Sequence, residues 1–68
     1  MTEKSENLVN AISHLVRLIA DVNTDIQIAL QRNASLELRQ YRHLKKDYTH
    51  QLNGLLEELD LVSNLQPA

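Results

Sequence analysis

Apolar residues in the first half of the chain fall at Leu8, Ile12, Leu15, Ile19, Val22, Ile26 and Ala29, with steps alternating four and three. That alternation is the a/d pattern of a heptad repeat, with Leu8 at d and Ile12 at a. It predicts an amphipathic helix over about residues 5–32 whose apolar seam asks for a partner helix. Polar residues such as Asn10, Arg17, Asp21 and Asp25 fall away from the seam. Residues 1–6 read as a cap region. There Thr2 or Ser5 accepts the first unpaired backbone N–H groups, and Glu3 and Glu6 suit the positive end of the helix dipole. Thr24 and Gln27 have capping-box spacing. Val22 and Ile26 nevertheless keep the register across them, so a continuous helix is expected.

A second seam runs through Leu38, Tyr41, Lys45, Tyr48, Leu52, Leu55, Leu59 and Val62, with Leu38 at a. Its heptad phase is shifted by two from the first, which places a break between them. Asn33-Ala34-Ser35 is the expected turn, because Asn tolerates the left-handed conformation that ends helices and Ser is a good N-cap. Folding the chain there pairs Ala29 with Leu38, Ile26 with Tyr41, Val22 with Lys45, and so on to Leu8 with Leu59. Every layer then joins an a position to a d position, as in an antiparallel pair of helices. The expected fold is therefore all-α: one helical-hairpin domain over 1–68, with a second helix over about 36–64 and a frayed tail at 65–68. The competing arrangement is a single rod about 90 Å long at 1.5 Å per residue. Asn53-Gly54 is a turn signal inside the second helix, but Leu52 and Leu55 hold the seam, so Gly54 is expected only to loosen it.

The hairpin leaves apolar surface over. The e positions carry Val9, Val16 and Leu30 on the first helix and Leu56 on the second. The opposite flank carries Leu18, Leu44 and Leu65 among charges. Stripes wider than a/d belong to core-facing bundle helices. Two hairpins are thus expected to dimerise through Val9, Val16, Leu30 and Leu56 into a four-helix bundle, although a heterologous helical partner can cover the same flank.

Composition agrees with this plan. The 68 residues include no Cys, one Gly and one Pro, so neither disulfides nor thiolate metal sites stabilise the fold, and so short a chain is marginal alone. The start is polar, with no basic segment followed by an apolar one, and no run approaches the roughly 18 apolar residues of a membrane span. No export signal and a cytoplasmic location are expected, and the acceptor-like Asn33-Ala34-Ser35 is read as coincidence. In size and plan the chain resembles many small bacterial interaction proteins, secretion-system co-chaperones among them. No motif residue carries that likeness.

Charge is segregated. The net charge is −2, yet five of the seven basic residues (Arg32, Arg39, Arg42, Lys45 and Lys46) lie within 32–46 with one acid, Glu37. Arg39, Arg42, His43 and Lys46 share a helix face. A solvated face is the plainer reading of this basic patch, followed by an acidic protein partner and then by nucleic acid. Lys45 is the odd member of the seam, and its ammonium is expected to reach solvent or Asp21 or Asp25. Tyr41 and Tyr48 read as packing residues. His43, Asp47 and His50, at i, i+4 and i+7, form a weak candidate for zinc or nickel, but on an outer face where solvated side chains are the better reading. No metal or other cofactor is expected. With no nucleophile motif and no glycine-rich phosphate loop, no catalysis is expected either. The expected function is that of a self-associating interaction or adaptor module. The alternatives are a small nucleic-acid-associated regulator using Arg39, Arg42 and Lys46, and a small chaperone paired with another helical protein.

Overall fold

A computed structural model describes residues 3–65 of the chain, and the side-chain surroundings of 3–62. It is a helical hairpin: α1 spans Glu3–Gln31 and α2 spans Ser35–Leu65. The two helices pack along their length, and the molecule measures 52 × 14 × 14 Å. The heptad phase shift is the reason. A strict heptad repeat continued through one helix would leave the second seam two positions out of phase, whereas a turn brings the two face to face.

The turn is built by backbone hydrogen bonds. Ala34 N–H donates to the Ala29 carbonyl at 2.9 Å and Asn33 N–H to the Leu30 carbonyl at 3.3 Å. Asn33 takes the left-handed conformation, with φ 54°. Together these satisfy carbonyls that the last turn of a helix leaves open. The next helix begins at once, because Leu38 N–H donates to the Ala34 carbonyl at 2.9 Å. Ala34 is therefore the cap and Ser35 the first helical residue, so the cap falls one position earlier than the Ser35 cap the sequence suggests. Ala34 closes one helix and opens the next, which leaves no room for a separate serine cap.

The seams are where the repeat places them. On α1, Leu8, Leu15, Val22, Ile26 and Ala29 are buried. On α2, every seam position from Leu38 to Val62 is half-buried. One heptad residue was missed. Ser5 is buried inside α1 at the a position before Leu8, so it belongs to the seam, level with Val62, and the helix is already formed at Glu3. Thr2, the other expected cap, and most of the expected frayed tail lie outside the described residues, while Leu65 is still helical. Neither internal break signal interrupts a helix. The Thr24 hydroxyl donates back to the Ala20 carbonyl at 3.3 Å, and α2 runs straight through Gly54.

Candidate functional site: the open flank of the hairpin

Two helices can close one seam but cannot cover its sides. No large side chain is fully buried among the described residues. The e-position residues Val16, Leu30 and Leu56 are 52%, 44% and 45% exposed, while Val9 is half-buried. Together with the half-buried seam of α2 they form an apolar strip along one side, interrupted by Asn23, Arg42, Lys45 and Thr49. The accessible surface, 5376 Å², exceeds the roughly 4,400 Å² expected of a compact monomer of this mass.

Towards the turn, this flank deepens into a groove of about 1160 Å³. Ile26 and Leu30 supply apolar lining, and Arg42, Lys45 and Lys46 supply three cations, with Asp47 and His50 beside them. The basic patch is thus split. Arg42 and Lys46 face the groove; Arg39 and His43 do not line it. Lys45, which the sequence places in the seam with its ammonium directed to solvent or to Asp21 or Asp25, also lines the groove. Its a position adjoins the e flank, and that adjacency was the available signal. Its ammonium makes no ion pair with Asp21 or Asp25, which sit at c and g positions on the other flank.

The other flank also exposes large apolar residues, Ile28 and Leu61 at 45% and 62%, with Leu44 at 37%. Leu36, on the outer face near the turn, is 65% exposed. The His/Asp set does not assemble. His43 Nε2 lies 3.7 Å from Asp47 Oδ2 with both side chains well exposed, while His50 lines the groove. Among the described residues no three His, Cys, Asp or Glu side chains gather as a metal site, and no helix is long and apolar enough to cross a membrane. No family model, curated protein or solved structure matches the chain.

Proposed function

We propose that the chain is a non-catalytic interaction module that self-associates, two hairpins packing through the Val16–Leu56 flank into a four-helix bundle. The observation that carries this reading is the apolar strip of Val16, Leu30 and Leu56, open to solvent beside a seam that α2 covers only partly. Burying it stabilises the pair at about 25 cal/mol per Å² of apolar surface, which a chain with so small a core needs. The test is the solution mass by light scattering over a dilution series, with circular dichroism on the same samples. A strongly helical dimer of about twice the 7.8 kDa chain mass is expected. Val16→Glu with Leu30→Glu should convert it to a poorly helical monomer. A wild-type chain that is monomeric and poorly helical would instead move the function to a chaperone or adaptor that folds on a different helical protein.

One observation favours a second reading. Arg42, Lys45 and Lys46 converge on one groove, the arrangement a polyanion requires. A small nucleic-acid-associated regulator would use these together with Arg39. A gel shift that weakens with salt and disappears in Arg39→Glu/Lys46→Glu supports it, and absence of binding at low salt removes it.

A further inference from the structure

We infer that the second copy docks head to tail: the two hairpins stack through this flank with their turns at opposite ends, so that α2 lies antiparallel on α2. The inference rests on the self-association proposed above and adds its orientation and the residues that set it.

The flank consists of the e positions and, beside them, the b positions. On α1 these positions are all uncharged from Val9 to Leu30, and the first charge is Glu6 near the open end. On α2 they are sorted by end. Arg39, Arg42 and Lys46 lie near the turn, neutral Thr49, Asn53 and Leu56 follow, and Asp60 lies near the open end. The opposite flank has no cationic cluster: Arg32 lies there with Asp21, Asp25 and Glu37, and Lys4 with Glu58 near the open end.

Two stacked hairpins are related by a two-fold axis that runs either along the bundle or across it. An axis along the bundle puts both turns at one end. The two clusters of three cations then sit at the same end, diagonally across the bundle, with roughly 11–14 Å between helix axes, where their repulsion is only partly screened. An axis across the bundle puts the turns at opposite ends and separates the clusters by most of the molecule's length. It also brings Glu6 and Asp60 of each copy level with Arg39 of the other. The acidic end of each copy then lies beside the turn-side end of the other's groove, next to Leu30. The flank, 52 Å long and 14 Å wide, presents about 700 Å², close to the roughly 800 Å² that a stable interface takes from each partner.

The chain has no cysteine, so single introduced cysteines report without interference. Thr49 is an exposed e-position residue next to the midpoint of α2. An axis across the bundle sets it opposite itself, at a helix separation of about 8–10 Å that a disulfide can bridge. Thr49→Cys is expected to oxidise to a covalent dimer that runs at twice the chain mass on a non-reducing gel. Glu57→Cys, on the outer face of the same helix, is not. Spin labels at Leu36→Cys, beside the turn, should lie about 40 Å apart for opposed turns and about 20 Å apart for turns at one end. Circular dichroism and light scattering on each variant check whether it remains a helical dimer. A monomeric wild type overturns the self-association and this inference with it. A dimer with no Thr49→Cys cross-link, or with labels near 20 Å, overturns the orientation alone.

Discussion

Lys45 holds an a position that a leucine would fill, level with buried Val22. It is half-buried and lines the groove beside Arg42 and Lys46, so three cations share one wall with Asp47. A polar residue at a single seam position lowers stability and restricts which packings are tolerated. Lys45→Leu is therefore expected to stabilise the hairpin by about 1 kcal/mol, from the apolar area it buries, and to broaden the distribution of oligomers. Urea unfolding and light scattering read the two effects, and unchanged values in both would refute the role. Single residues were legible in the sequence where the backbone demands a particular type. Asn33 was placed in the turn because few residues accept φ 54°, and that is what it adopts. Ser35 and Ser5 were misplaced for a shared reason. Serine is favoured at caps, but here Ala34 caps through its carbonyl and Ser5 is held in the helix by the seam.

The two helices differ in how they meet the seam. α1 buries small and branched side chains deeply, whereas α2 lays Tyr41, Lys45 and Tyr48 across it and keeps every seam residue half-exposed. α2 is thus the helix with more apolar surface still to cover, and it also contains the one internal glycine. Gly54 sits at an outer c position, and a Cβ built there meets nothing within 4 Å. Gly54→Ala is expected to stabilise α2 by about 1 kcal/mol, chiefly by removing backbone freedom from the unfolded chain. For a domain of this size that corresponds to a rise of about 4–8 °C in thermal midpoint. A midpoint unchanged or lowered would show that α2 is not helical through Gly54 in solution. Helix identity was legible because heptad spacing over about six turns or more outweighs local signals such as Asn53-Gly54 and Thr24. Helix ends were less so, since they depend on which carbonyl finds a donor.

For the molecule as a whole, the hairpin was legible from the phase shift between seams, and the apolar flank from its e positions. The groove was not, because it forms where a and e positions of both helices come together in space. Nor were Ile28 and Leu61, whose c positions count as outer in a heptad reading yet lie beside the second flank. The expected effect of Val16→Glu with Leu30→Glu belongs at this scale. Two carboxylates on the strip cost the pair its apolar contact, and a hairpin with so little closed core loses helix content with it.

The three-residue turn also gives folding a direction. The seam pairs nearest it, Ala29 with Leu38, are close in sequence, and each later pair is farther apart. Every layer that closes shortens the free loop left for the next, so the entropy of closure is met in small steps from the turn outward. The chain is expected to zip, with its cationic end formed first and its acidic end last. In a head-to-tail pair, each copy would hold the other's last-formed end against its own first-formed one.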